Sequence, residues 1–132
     1  MITLFENFEE ININDDIQIH IDDILNQIEE FMNLPIKNKW IGNDEIKIYI
    51  RKSKRYINEK MIDCFDIATI EVEKQGKGLF TKILDQIIQK YPTTNIFIES
   101  IMEPRFRGFF KRKGFKYISE MYPENMILLQ NN

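Results

Sequence analysis

The chain has 132 residues, 43% of them hydrophobic. We therefore expect one domain spanning residues 1–132, with a core that is stable without disulfides or a structural metal. Its one cysteine, Cys64, excludes an internal disulfide, and no apolar run reaches the ~18 residues of a membrane span. The N-terminus lacks the basic start and apolar stretch of a signal peptide, so we expect a cytoplasmic protein without membrane contact.

The net charge is only −3, but the charges are unevenly distributed. Residues 1–36 contain nine acidic and no basic residues, whereas residues 37–132 contain twelve acidic and eighteen basic ones. The acidic first third favours a cationic partner. A nucleic-acid-binding module is a weaker alternative, based on the basic cluster 51–55 and the basic segment 105–113. The pI of about 5.3 and the lack of an aromatic stacking ladder argue against it.

The N-terminal third predicts extended structure followed by a helix. Residues 1–8 suggest a short strand or an arm, and isoleucines that mostly alternate with polar residues predict extended structure before Asp22 (Ile11, Ile13, Ile17, Ile19 and Ile21). Asp22 or Asp23 caps a helix that ends near Pro35. Its apolar face is spaced at helical intervals (Ile24, Leu25, Ile28, Phe31 and Met32).

The next segment predicts an antiparallel meander. Residues 37–44 form a loop that contains Trp40 and Gly42, and Ile46, Ile48 and Ile50 alternate with polar residues in a half-buried strand. Residues 52–55 predict a turn, and a second turn at residues 58–59 leads into a central strand over residues 61–72. This strand is rich in β-branched and aromatic residues.

The second half predicts helices alternating with strands. Apolar residues at helical spacing predict a helix from Leu79 to Tyr91, stopped by Pro92. Residues 95–99 form a short strand that is reached through this helix, so it is expected to run parallel to the central strand. A second helix begins at residues 103–104 and ends at Gly114, with its phenylalanines inward. Residues 116–121 and 125–130 close the chain as a hairpin.

A glycine-containing segment, residues 75–80, joins the central strand to the first of these helices. Gly76 and Gly78 let the chain turn tightly and leave backbone N–H groups uncovered where the helix begins. Those groups and the helix dipole suit an anion such as a phosphate, and Lys74 and Lys77 add positive charge. The spacing excludes the Walker pattern and the dinucleotide fingerprint, because Thr81 stands where the latter needs a glycine. An ordinary loop remains the alternative.

Two motifs resemble the GNAT superfamily of acyl-CoA-dependent N-acyltransferases. Gln75-Gly76-Lys77-Gly78-Leu79-Phe80 is similar to the family's first signature except at its last position, and residues 109–115 are similar to its aromatic pair followed by Gly-Phe. One helix and one strand separate them, as in the family. The resemblance implies an α/β (α+β) fold: a central mixed, mainly antiparallel twisted sheet with flanking helices, splayed between two parallel central strands.

The resemblance also implies an N-acetyltransferase that uses acetyl-CoA as acyl donor. The acceptor would be an amine of a small molecule or of a protein lysine or N-terminus, and no metal is assigned. The base would be a carboxylate on a central strand, with Glu99, Asp66 and Glu71 as candidates. The residues implied in acetyl-CoA binding are Ile70, Glu71, Val72, Gln75, Gly76, Lys77, Gly78, Leu79, Phe80, Phe110 and Arg112.

Three positions depart from the family pattern. Phe110 occupies the place of a tyrosine that protonates the departing thiolate, Glu103 that of an asparagine, and Phe80 that of a small residue. Water, Ser100 or Tyr122 would then have to supply the proton. The departures leave open a GNAT-fold protein with impaired catalysis that binds a macromolecular partner, and a homodimer is a further possibility.

Overall fold

A computed structural model describes residues 15–72 and 78–131 of the chain. The predictions made for residues 1–14, and for Lys74, Gln75, Gly76 and Lys77, therefore lie outside the described residues. The described chain runs in the order α1 (Asp15–Asn33), β1 (Asn38–Gly42), β2 (Ile46–Ile57), β3 (Lys60–Val72), α2 (Leu79–Lys90), β4 (Asn95–Ile98), α3 (Pro104–Arg112), β5 (Lys116–Tyr117) and β6 (Met126–Leu128).

The six strands form one mixed sheet in the order β1-β2-β3-β4-β6-β5. Neighbouring strands are antiparallel except for β3 and β4, which are parallel and pair from Cys64↔Asn95 to Ile67↔Ile98. The crossover connection that such a parallel pair needs contains α2. The predicted sheet, mainly antiparallel with two parallel central strands and flanking helices, is confirmed.

The two faces of the sheet differ in chemistry. On one, the helix face, Ile46, Ile48 and Ile50 of β2 belong to the same core as the buried residues of all three helices. Since side chains alternate along a strand, the opposite face carries the intervening residues Arg51 and Ser53. We call it the charged face. It also has a small apolar cluster of its own, made of Cys64, Phe97 and Ile127.

A β-bulge interrupts β3 at Ala68. Tyr49 pairs with Thr69 and Ile50 with Ile67, so Ala68 is the extra residue between them. Before the bulge, the odd-numbered Ile67 faces the helices, and after it the even-numbered Ile70 does so. The bulge therefore reverses which residues of β3 point to the helices after Ala68, and it places Glu71 on the charged face.

The first helix begins earlier than the sequence predicts. Ile17 and Ile21 were expected in extended structure, but both are buried in α1, whereas Ile19 between them is 63% exposed. Strand-like alternation would have placed all three on one face. The helical spacing of the apolar residues continues backward from Ile24, and extending a helix that is already nucleated costs less than starting a strand.

Two predictions about the meander are also wrong. The predicted loop over residues 37–44 contains the edge strand β1. Only Ile41 of this strand is buried, so its sequence lacks the alternation of apolar and polar residues that indicates a strand. The predicted turn at residues 52–55 is absent, because β2 continues without a break to Ile57 and pairs with β3 as far as Lys60. The turn at Asn58-Glu59 is confirmed, and both residues have positive φ.

The remaining elements are as predicted, with shorter ends. The strand over residues 61–72 and the helix from Leu79 are found at β3 and α2, β4 is parallel to β3, and α3 ends just before Gly114. The closing hairpin is reduced to the pair β5 and β6. Within the described residues, no helix is both long and apolar enough to cross a membrane.

Candidate active site at the parting of two parallel strands

The parallel strands β3 and β4 separate where β4 ends. Ile67 and Ile98 form their last pair, and the N–H of Glu99 still donates to the Ile67 carbonyl at 3.4 Å. Ser100 then adopts a positive φ of 61°, and Ile101 N–H donates to the Glu124 carbonyl on the β6 side. Meanwhile β3 continues to Val72 with pairs to β2 alone. The sheet thus opens beside the last residues of β3.

The helix after this opening begins at a glycine in a left-handed conformation. Gly78, the N-cap of α2, has φ 65° and no side-chain cap, and its carbonyl accepts the first hydrogen bond of the helix from Lys82. The N–H groups of a helix's first turn point away from its body and carry the positive end of its dipole. No acidic residue stands in the first turn of α2. This end of α2 is suited to an anion.

Asp66 lies at the centre of a hydrogen-bonded cluster on the charged face, and its side chain is completely buried. Its Oδ1 accepts a hydrogen bond of 2.7 Å from the Ser53 hydroxyl. Its Oδ2 accepts bonds from Arg51 Nε at 3.2 Å and from a terminal nitrogen of Arg55 at 2.8 Å. Both carboxylate oxygens are therefore engaged, which suits a positioning group better than a proton acceptor.

Glu99 is joined to this cluster through Arg51. A terminal nitrogen of Arg51 lies 2.8 Å from Glu99 Oε2, and 29% of the Glu99 side chain is exposed. Burial lowers the pKa of Arg51, but its bonds to Glu99 and Asp66 outweigh burial and raise that pKa above its ordinary value. Arg51 thus stays charged and holds one oxygen of Glu99 at the point where the strands part.

The third candidate carboxylate is farther from the parting point. Glu71 lies four residues beyond Ile67, is exposed, and stands opposite Lys47 of β2. All three candidates are on the charged face, because the bulge at Ala68 turns Glu71 to the same side as Asp66. Glu71 lines a groove that begins at the β1–β2 loop.

The residues implied in acetyl-CoA binding fall into three environments. Ile70 and Val72 belong to the open end of β3, where Ile70 is buried against the helices. Leu79 and Phe80 are buried in the first turn of α2, so the bulky side chain in the small-residue position is turned into the core. Arg112 is exposed at the end of α3.

Phe110 is enclosed by other aromatic rings. Its ring centroid lies 5.2 Å from that of Phe109, 5.5 Å from that of Phe115 and 6.5 Å from that of Phe80, and the residue is completely buried. The position therefore offers neither a proton donor nor an exposed surface. Phe110 contributes to the core that supports α2 and α3 rather than to proton transfer.

Sequence reasoning missed the three residues that hold Asp66. Arg51, Ser53 and Arg55 alternate along β2 and so share one face of the sheet. The guanidinium carbon of Arg55 also lies 3.4 Å from the centroid of the Phe97 ring, a cation–π contact across the sheet. Their alternate positions in the sequence are typical of one face of a strand, but residues 52–55 were predicted to form a turn, so the three residues were not placed on a common face.

One solved structure provides a comparison for the fold. It contains a point mutant of the toxin AtaT bound to the C-terminus of the antitoxin AtaR and to acetyl-CoA. The match has a TM-score of 0.51 at 14% sequence identity and covers 64% of this chain. The chain spans only 57% of the toxin's length. No protein-family profile and no curated protein sequence matches the chain. The likeness shows a GNAT-like fold.

Proposed function

We propose that the protein transfers an acetyl group from acetyl-CoA to a primary amine. The observation that carries this proposal is the separation of β3 from β4 at Ile67 and Ile98, on the strand that precedes the anion-suited start of α2 in the chain. A GNAT-like fold with such an opening has space for an extended thioester between two strands. The acetyl-CoA bound to the structurally similar toxin supports the choice of donor.

The donor would bind along the open end of β3 and at the start of α2. The pantetheine arm would pair with backbone groups of residues 70–72, and the pyrophosphate would accept hydrogen bonds from N–H groups around Gly78. Gln75, Gly76 and Lys77 would complete the phosphate site, as the resemblance implies. Arg112, exposed on the basic helix α3, would bind the remaining phosphate.

Acetyl transfer requires the amine to be neutral when it attacks. The ammonium first loses a proton to solvent, and the nitrogen lone pair then attacks the thioester carbonyl carbon while a backbone N–H of β3 near the parting point at Ile67 stabilises the oxyanion. As the tetrahedral intermediate collapses, the C–S bond breaks, the nitrogen passes its extra proton to Glu99, and the thiolate leaves. Water carries a proton back to the thiolate, because Phe110 has none to give. The products are an N-acetyl amine and free CoA.

We assign the base to Glu99 and a positioning role to Arg51. Glu99 lies at the parting point with one oxygen held by Arg51, which leaves Oε1 for the amine proton. Asp66, whose two oxygens already accept three hydrogen bonds, would act through Arg51 by fixing the guanidinium. Glu71 is too far along β3 to receive the proton directly.

Acetyl-CoA binding is the first test. Calorimetric titration of the wild type is expected to show binding, and Gly78→Trp is expected to abolish it, because a side chain at φ 65° would occupy the start of α2. Circular dichroism and thermal melting establish that this variant is folded. Absence of binding in the wild type contradicts the proposal.

Turnover is the second test, measured as CoA release with a panel of primary amines. Glu99→Gln is expected to lower kcat by about 100-fold while leaving acetyl-CoA affinity unchanged. Arg51→Gln should lower kcat less and should displace the acid limb of the pH profile, which a purely structural role would leave in place. Asp63→Asn is the matched control, since Asp63 is an exposed carboxylate on the same strand as Asp66, paired with Lys54. Full activity of Glu99→Gln would assign the base elsewhere.

A further inference from the structure

A second concave surface lies on the charged face, next to the open end of β3. It has a volume of about 610 Å³ and is formed by the β1–β2 loop and the facing strands. Trp40, Gly42, Asn43, Asp44, Lys47 and Glu71 line it. We call it the Trp40 groove. The chemistry proposed above uses none of its side chains.

The loop that forms the Trp40 groove is held in a defined shape. Gly42 and the Gln27 side chain of α1 exchange two hydrogen bonds, each 2.9 Å long. The Asn43 amide donates to Asp23 at 2.9 Å, while its carbonyl oxygen accepts from the N–H of Ile46 at 3.2 Å. A Cβ on Gly42 would lie 2.4 Å from the Ile46 carbonyl oxygen, so no larger residue fits there without a shift. The groove is therefore built before any ligand arrives.

The lining combines an aromatic wall with an excess of negative charge. Trp40 is 51% exposed, and its indole leans on the Tyr49 ring at a centroid distance of 5.2 Å. Among the described lining residues, Asp44 and Glu71 contribute two carboxylates, and the ammonium of Lys47 balances one of them. An indole face and carboxylates together favour an aliphatic chain that ends in a cation, through apolar contact, cation–π attraction and ion pairing.

The position of the groove sets the length of such a ligand. Tyr49 stands opposite Thr69, two residues beyond the parting point at Ile67, and Glu71 follows at four residues. At about 3.3 Å per residue, the acidic end of the groove lies roughly 10–13 Å along β3 from the place where the acetyl group would be transferred. The groove also extends sideways over β2 and β1, whose neighbouring strands lie about 4.8 Å apart, so a molecule that reaches both places has two nitrogen atoms at least that far apart.

We infer that the Trp40 groove binds the distal ammonium of a linear aliphatic diamine or polyamine whose other nitrogen is acetylated. This inference rests on the proposed acetyl transfer and adds the acceptor class. The methylene chain lies on the Trp40 indole, the distal ammonium is held by Asp44 and Glu71, and the neutral amine reaches Glu99. Short monoamines lack the second contact and therefore bind with higher KM.

A diamine series tests the inference on the whole protein. With saturating acetyl-CoA, kcat/KM is compared for hexylamine, diaminobutane, diaminohexane and diaminooctane, the last of which spans roughly 10 Å when extended. We expect kcat/KM to rise with length and to be about tenfold higher for diaminooctane than for hexylamine. The gain should lie in KM, since the distal ammonium takes no part in the chemistry.

Two groove variants and two matched controls identify the surface responsible. Asp44→Lys should reduce the ratio of kcat/KM for diaminooctane over hexylamine by about fivefold, and Trp40→Leu by about threefold. Asp63→Lys changes an exposed carboxylate at the other end of β3, and Tyr56→Leu removes an exposed aromatic ring from the hairpin there. Both controls should keep the wild-type ratio.

Direct binding separates failure of this inference from failure of acetyl transfer. Calorimetric titration with diaminooctane and hexylamine requires no turnover, and Asp44→Lys should remove the preference for the diamine. Acetylation of hexylamine and diaminooctane with equal kcat/KM would overturn the inference and leave acetyl transfer intact. Preferential diamine binding without acetylation of any amine would overturn acetyl transfer and support the groove. Equal binding of both amines, or a preference that survives Asp44→Lys, overturns the inference.

Discussion

The hydroxyl of Tyr91 lies 2.6 Å from Oε2 of Glu29, so the residue that caps α2 is tied to the penultimate turn of α1. Lys90 lies 3.2 Å from the same oxygen. The hydrogen bond from Tyr91 is the main cause that lowers the pKa of Glu29, followed by Lys90. Burial, with a contribution from Glu29, raises the pKa of Tyr91 above its ordinary value. The two helices are thus joined by groups that titrate.

Replacing Tyr91 with phenylalanine should make the melting temperature less dependent on pH between about pH 7 and pH 3. A lowered carboxyl pKa stabilises the fold above the ordinary pKa of Glu29 and loses that effect as the pH falls through the lowered value. The wild type should therefore melt a few degrees higher than Tyr91→Phe near pH 7, with the gap shrinking near pH 3. On the alkaline side, the raised pKa of Tyr91 favours folding fully only below its ordinary pKa, and that contribution is lost as the pH rises from the ordinary value through the raised one. A gap of the same size at both pH values would contradict the assignment.

Two glycines should respond in opposite directions to the same change. Gly42→Ala places a Cβ 2.4 Å from the Ile46 carbonyl oxygen, which must displace the β1–β2 loop and strain its bonds to Gln27. We expect a loss of about 2 kcal/mol in the free energy of unfolding. In Gly108→Ala the Cβ meets only a terminal nitrogen of Arg112 at 3.6 Å, and helix propensity should stabilise the chain by about 0.5–1 kcal/mol. Urea titration of both variants measures the difference, and equal effects would contradict this geometry.

Asp66 should matter far more to stability than the exposed Asp63 three residues before it. Asp66→Asn removes a buried charge on which Arg51 and Arg55 converge, and a buried pair that loses one partner costs about 3 kcal/mol or more. Asp63→Asn breaks an exposed pair with Lys54, for which we expect less than about 1 kcal/mol. Urea titration distinguishes the two. A change near zero for Asp66→Asn would mean that the cluster adds nothing to folding.

Cys64 should be nearly inert towards thiol reagents in the folded protein. Burial, helped by the negative charge of Asp66, raises the pKa of the thiol to about 11. At about pH 8 only on the order of 0.1% of it is thiolate, the reactive form. Labelling with a chromogenic disulfide should therefore be slow, should accelerate with rising pH, and should become fast in urea. Labelling of the folded chain at the rate of the unfolded chain would contradict this prediction.

Elements with strong, uninterrupted patterns could be predicted from the sequence. The strand β3, the helix α2 and the parallel strand β4 follow from apolar spacing and chain punctuation. The start of α1 could not, because its isoleucines satisfy two periodicities over a short window, and only the packing of Ile17 and Ile21 decides between them. Strand β1 could not be predicted either, because Ile41 is the only buried residue in Asn38–Gly42 and the segment has no apolar periodicity.

The candidate site was predicted in part. Glu99 and Asp66 follow from their places on the central strands, but their different environments depend on partners from β2. The segment from Arg51 to Arg55 contains only polar residues, and such a segment favours a turn when the sequence is interpreted without its partners in the fold. These residues form a strand because β3 pairs with β2 over its whole length beyond the turn at Asn58-Glu59, and this pairing is not visible in the pattern of residues 52–55 alone. The Trp40 groove depends on hydrogen bonds between α1 and the β1–β2 loop, namely those from Gln27 to Gly42 and from Asn43 to Asp23.

The bulge at Ala68 divides β3 into two segments that follow opposite parity. Ile67 before it and Ile70 after it both pack against the helices, although they are an odd number of residues apart. Deleting Ala68 would leave Ile67, Thr69 and Ile70 in plain alternation and would keep Ile70 on the helix face, since Tyr49 and Ile50 would then stand opposite neighbouring residues. The deletion would remove the extra residue that bends and twists the strand, so the end of β3 would change direction without exchanging its faces.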